Sequence, residues 1–146
     1  SSLGHSVPIA GGPQKEGLEC CGVVLEASDN TFALEMAESY QNKELQSLVR
    51  RFELLDNGIR IIDIPQGQVQ TYVERFVTRI IPVVVGDKVL IDEYELSCAQ
   101  NARIQISQFT YEPRFESFNK AGARETAYLI DFIVDKAGKT EILICK

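Results

Sequence analysis

The segment FELLDNGIRIIDI (52–64) sets Asn57-Gly58 between two apolar runs. Asn and Gly reach positive φ at little steric cost, as the type I′ turn requires, and the twist of that turn matches a pair of antiparallel strands. The segment therefore predicts a β-hairpin. Gly86-Asp87, between PVVV and KVLIDEY, places glycine first as a type II′ turn prefers, and predicts a second hairpin. Two tight hairpins in so short a span favour antiparallel sheets.

The rest of the chain continues in strand and turn. ECCGVVLEAS (19–28) and TFALEMAESY (31–40), separated by Ser28-Asp29-Asn30, read as a hairpin whose second strand ends in Tyr40. In QNKELQSLVRRFELL (41–55) helix competes, because Leu45, Leu48 and Phe52 recur at three- and four-residue spacing. Strand from about Leu48 is the reading, since the segment feeds the Asn57-Gly58 turn. VQTYVERFVTRIIPVVV (69–85) reads as a long β-branched strand, with Pro82 limiting pairing near its end. ARIQISQFTYEP (102–113) alternates Ile104 and Ile106 against Arg103 and Gln105, giving a strand with one wet face. FESFNKAGARET (115–126) reads as an exposed loop, and TAYLIDFIVD (126–135), a turn at 136–139 and TEILICK read as a closing hairpin. Nine or ten such strands predict an all-β fold: an antiparallel β-sandwich, or stacked antiparallel sheets of the super-sandwich kind, in a single domain over 1–146.

A chain of 146 residues suffices for one core. Net charge is −6, and the 15 basic residues are scattered, with Arg50-Arg51 the only adjacent pair, which argues against a nucleic-acid-binding face. The longest apolar runs, such as IIPVVV (80–85), fall far short of a bilayer span, so no membrane partner is expected. The opening SSLGHS lacks the progression of a signal peptide and reads as the middle of a longer chain; bacterial cytoplasm, periplasm and secretion all stay open. Cys20, Cys21, Cys98 and Cys145 fit no zinc or redox spacing and read as buried reduced thiols. A Cys20–Cys98 or Cys21–Cys145 bridge stays open for an exported protein.

Candidates for chemistry are sparse. There is no nucleophile elbow, no glycine-rich phosphate loop and no His cluster. Asp92-Glu93 reads as a solvated turn, since neighbouring strand residues point to opposite faces. The tyrosines are placed like strand residues with a buried ring and a wet hydroxyl. His5 is the only histidine. It is either an exposed residue near the start of the chain or part of a loop that forms a site, with Gly4 permitting close approach and Gly11-Gly12-Pro13 making a sharp turn.

GHSVPIAGGPQKEG resembles the segment that opens the C-terminal β-sheet region of heparinase II/III-like polysaccharide lyases. There a His beside a small or polar residue precedes an apolar run, a Gly-containing turn and a Gln, matched here by His5, Ser6, Val7-Pro8-Ile9, Gly12 and Gln14. FALEMAESY (32–40), SLVRRFELLDNGIRIID and VQTYVERFVTRIIPVVVGDKVLI are similar to the strands that follow. The resemblance implies a C-terminal β domain whose N-terminal partner, an α/α toroid, is missing from this chain. It also implies β-elimination of uronic-acid-containing glycans in a cleft between the two. On that pattern His5 polarises the uronate or relays the proton, with Gln14 and Tyr40 as supporting residues. The partners implied are an acidic polysaccharide and the helical domain, and the 146-residue chain alone is expected to be inactive. Zinc-containing members of the family use His ligands in the β region; with His5 alone, no metal site and no cofactor are expected. The other readings are a non-catalytic carbohydrate-binding or structural β-module and, more remotely, a spore- or envelope-associated assembly protein that makes contacts through its sheet edges.

Overall fold

The Asn57-Gly58 hairpin lies at the centre of the larger of two sheets in a computed structural model, which describes residues 5–15, 22–111, 124–135 and 138–146. Strands β4 (Leu45–Leu55) and β5 (Gly58–Gly67) pair with Leu55 opposite Gly58, leaving Asp56 and Asn57 as the loop. Neither loop residue has positive φ, so the turn is not type I′. The glycine is needed for another reason. A Cβ at Gly58 would lie 2.0 Å from the Ile144 carbonyl oxygen on the neighbouring strand.

Around this hairpin β2 (Val23–Ala27), β3 (Thr31–Glu35), β7 (Val83–Val85), β8 (Lys88–Ile91), β9 (Tyr94–Cys98) and β12 (Thr140–Cys145) complete an eight-stranded sheet ordered β2-β3-β4-β5-β12-β9-β8-β7. The second sheet has four strands ordered β1-β6-β11-β10, where β1 is Ile9–Ala10, β6 Tyr72–Thr78, β10 Arg103–Tyr111 and β11 Glu125–Val134. All pairings are antiparallel, so the all-β, two-sheet class expected from the sequence is the class observed. The β2–β3 hairpin forms as expected, and Gly86, with φ 63, turns β7 into β8.

Four local expectations are corrected. Residues 69–85 are two strands rather than one: β6 belongs to the small sheet and β7 to the large, and the chain passes between the layers just before Pro82, which has no N–H to pair. The closing segments are not a hairpin. β11 pairs with β10 and β6, whereas β12 crosses to the other sheet and pairs with β5 and β9. Strand β4 begins at Leu45 rather than Leu48, its first residues accommodated by a register shift between Leu45 and Ser47. Finally, Tyr40 does not end a strand. The Glu35 carboxylate accepts the N–H groups of Ala37 and Leu48 at 2.9 and 2.7 Å and the Ser47 hydroxyl at 2.5 Å. The backbone then turns through a 3₁₀ segment, Ala37–Ser39.

Cys98 and Cys145 are free thiols and half-buried rather than buried. Cys20, Cys21 and most of the expected 115–126 loop lie outside the described residues. The outer face of the large sheet is solvated, and Arg51 pairs there with Glu26 and Glu53, and Arg60 with Glu53 and Glu141.

Between the sheets lie two apolar clusters. One gathers Ala10, Met36, Tyr40, Leu45, Leu48, Val69 and Tyr72; the other gathers Ile61, Phe76, Val89, Leu96, Ile130, Phe132 and Ile142. A charged layer separates them. Arg50 follows Leu48 on the inner face of β4, Asp63 stands opposite it on β5, and Glu74 lies between Tyr72 and Phe76 on the facing strand β6. Arg50 Nε and Nη2 meet Asp63 at 2.8 and 2.5 Å, and Nη2 also meets Glu74 Oε2 at 2.5 Å. One guanidinium thus ties the large sheet to the small one. Arg50→Ala should cost about 3–5 kcal/mol, the usual penalty for stranding a buried partner, measured by urea unfolding of the 146-residue chain; a loss below about 1 kcal/mol would contradict that role.

Candidate functional site

His5 lies on the segment that leads into β1, the edge strand of the small sheet. That strand is only two residues long, so its placement depends on contacts at both ends. On the sheet side, Ile9 and Ala10 stand opposite Val73 and Tyr72 of β6, and the Val77 N–H donates to Ser6 Oγ at 3.0 Å. The His5 carbonyl accepts the Val7 N–H at 2.9 Å, which curls the chain back at this point. The side chain itself is exposed, and among the described residues its imidazole makes no hydrogen bond.

The other end is fixed by Tyr40, which is 3% exposed. Its hydroxyl donates to the Pro8 carbonyl at 2.7 Å and accepts from Gln14 Nε2 at 3.5 Å, and Gln14 and Tyr40 also form a backbone bridge. The Lys15 N–H donates to the Ser39 carbonyl at 2.7 Å in the same crossing. Positive φ at Gly11 and Gly12 makes the turn between Ala10 and Gln14 possible. Gly11 also leaves room for Asn42, since a Cβ there would fall 2.4 Å from the Asn42 amide nitrogen, which donates to the Ala10 carbonyl at 3.2 Å. The arm that carries His5 is therefore pinned from beneath by Tyr40, Gln14 and Asn42.

Gln14 and Tyr40 come together, and no hydrogen bond joins the His5 side chain to either; His5 lies three residues before Pro8, whose carbonyl the Tyr40 hydroxyl holds. Burial pushes the Tyr40 phenol well above its ordinary range, with Arg50 opposing and Asp63 and Glu74 adding to the rise. The phenol stays protonated and serves as a fixed donor to the arm, not as a proton acceptor. The residues that sequence reasoning missed are Asn42 and the buried group Arg50, Asp63, Tyr72 and Glu74 beneath Tyr40. The latter had a signal in the sequence: charged residues at the inward-facing parity of apolar strands. Among the described residues no group of three His, Cys, Asp or Glu side chains is placed to hold a metal ion.

No family model matches the sequence, and no curated protein matches it. Among solved structures the fold has clear counterparts. Heparinase III superposes with a TM-score of 0.64 at 16% identity, over 96% of this chain and 23% of that one. The heparan sulfate lyase HepC from Pedobacter heparinus, in a mutant form, superposes with a TM-score of 0.61 at 13% identity, over 98% and 24%. The chain shares its fold with part of each of these two proteins, and it spans about a quarter of their length.

Tyr40→Phe should leave the Pro8 carbonyl buried without its donor and cost about 1–3 kcal/mol in thermal unfolding. The amide signals of Ile9 and Ala10 should shift, while those of β10 and β11 stay in place. Unmoved Ile9 and Ala10 signals would count against Tyr40 as the support of the arm.

Proposed function

We propose that this chain is the C-terminal β-sheet domain of a heparinase II/III-like lyase, cleaving uronic-acid-containing glycans by β-elimination and lending His5 to a cleft shared with an N-terminal helical domain. The observation that carries this reading is the coincidence of two features. The fold likeness to heparinase III and HepC extends over nearly the whole chain, and the one histidine stands exposed on an arm held by a buried tyrosine and an asparagine. A side chain left open on a fixed backbone suits a group whose partners come from another domain.

In β-elimination a base removes the proton at C5 of the uronate, and an acid protonates the departing glycosidic oxygen. Neutralising the carboxylate makes the C5 proton acidic enough to remove. An imidazole carries one ring nitrogen that donates and one that accepts, so His5 can donate to the carboxylate or relay a proton, while Gln14 and Tyr40 hold its backbone. The cations that bind a polyanion belong to the helical partner. This domain carries a net charge of −6, and Arg50, Arg51, Arg60, Arg75 and Arg79 are all engaged in ion pairs with its own carboxylates.

The test is a longer protein carrying this unit, assayed on heparan sulfate by the ultraviolet absorbance of the unsaturated uronate product. His5→Ala should lower the rate by about 2 to 4 orders of magnitude, the usual contribution of a positioned acid–base group. Full activity in that variant would remove His5 from the chemistry and favour a purely structural or carbohydrate-binding β-module. The 146-residue chain alone should show no elimination.

A further inference from the structure

The charged layer between the sheets is unbalanced. Asp63 and Glu74 are 0% and 1% exposed, and a single guanidinium serves both. Asp63 takes Arg50 Nε and Nη2 and also the Tyr72 hydroxyl at 2.7 Å. Glu74 receives only Arg50 Nη2 on Oε2, and its Oε1 is buried with no hydrogen-bond donor. The other polar groups facing the cluster are neutral: Tyr72 on β6, Tyr40 beyond β3, Cys98 on β9, and Thr140 opposite Asp63 on β12. With both carboxyls ionised, the layer would hold one net negative charge away from water and leave a carboxylate oxygen bare. That is among the costliest arrangements in a protein interior.

We propose that this layer holds one proton, on Glu74, at neutral pH, and that losing it in alkali loosens the small sheet, with β1 and His5, from the large one. A neutral Glu74 leaves a single ion pair, Arg50 with Asp63, and its hydroxyl can donate towards Asp63. The proton belongs on Glu74 because Asp63 has the greater number of donors. Burial and the Asp63 charge both push the Glu74 carboxyl well above its ordinary value. At Asp63, burial pulls upward but is outweighed by Arg50 and by hydrogen bonds from Glu74 and Tyr72, so its carboxyl lies below the ordinary value. The two groups therefore act on opposite sides of the pH scale. A raised native value means that the folded state binds the extra proton, so the Glu74 contribution is complete below its unfolded value, declines steadily between the unfolded and native values, and is gone once pH has risen through the native one. The Asp63 contribution is complete above its unfolded value and is lost as pH falls through its lower native one. Because β6 carries both Glu74 and the hydrogen bonds to the His5 arm, repulsion between two ionised carboxylates acts directly on the position of that arm.

The test is carbon NMR of the 146-residue chain with labelled glutamate side chains, the Glu74 signal assigned through its backbone and by its loss in Glu74→Gln. Its carboxyl carbon should stand at the protonated position at pH 7 and move only in alkali. From the ordinary carboxyl range up to the pH at which that signal moves, Tm should fall by roughly 3–5 °C per pH unit and then level off, a loss that Glu74→Gln should not share. In Asp63→Asn, which leaves one carboxyl for Arg50, Glu74 should be ionised at pH 7. A Glu74 signal at the ionised position at pH 7 in the unaltered chain would overturn the proposal, as would a loss of Tm of equal size in Glu74→Gln below the pH at which that signal moves. The unaltered chain decides the question even if a variant fails to fold.

Discussion

Arg50, together with the Tyr72 hydroxyl that donates to Asp63, joins the two sheets by more than apolar contact. Its strand pairs with β5 in the large sheet, and its guanidinium reaches across to β6 in the small one. Apolar packing is non-directional and tolerates sliding between layers. A buried guanidinium with fixed donors does not, because any shift of β6 along β4 and β5 leaves a charge without its partner. The layer thereby sets which residue of β6 faces which residue of the central hairpin, with Leu48 and Tyr72 packed on one side and Ile61 and Phe76 on the other.

The placement of β1 follows from that of β6. Two paired residues are too few to hold a strand, and the arm gains its position from the Ser6 contact to Val77 and from Tyr40 under Pro8. Tyr40 can play that part because the chain leaves β3 early. Glu35 gathers three donors and ends the strand, and the 3₁₀ turn then brings the phenol beneath the arm. His5 therefore stands on a backbone tied to both sheets, with its side chain exposed.

The sequence was most informative where structure is local. The hairpins at Asp56-Asn57 and Gly86-Asp87 were legible because turn chemistry acts over a few residues, although Gly58 is required by the approach of Ile144 and not by its own φ. Sheet membership was not legible. β11 and β12 follow each other in a pattern that suits a hairpin, yet each needs two partners found far away in sequence. Arg50 and Glu74 were visible as charged residues at inward parity, and reading that parity would have pointed to an inter-sheet ion cluster. The His5 segment was singled out through resemblance; its support by Asn42 could not have been read, since it depends on the space left by Gly11.

The proposal of a divided site makes one demand: if it holds, His5 acquires partners when a helical domain and a glycan are present. The most direct measurement is the NMR signal of the His5 ring, assigned by its loss in His5→Ala, during titration with a heparan sulfate oligosaccharide. In a longer protein that contains the helical region, the signal should move as the oligosaccharide saturates its site, and in the 146-residue chain it should stay where it is. An unmoved His5 ring in the longer protein, under conditions in which the oligosaccharide is bound, would contradict the account.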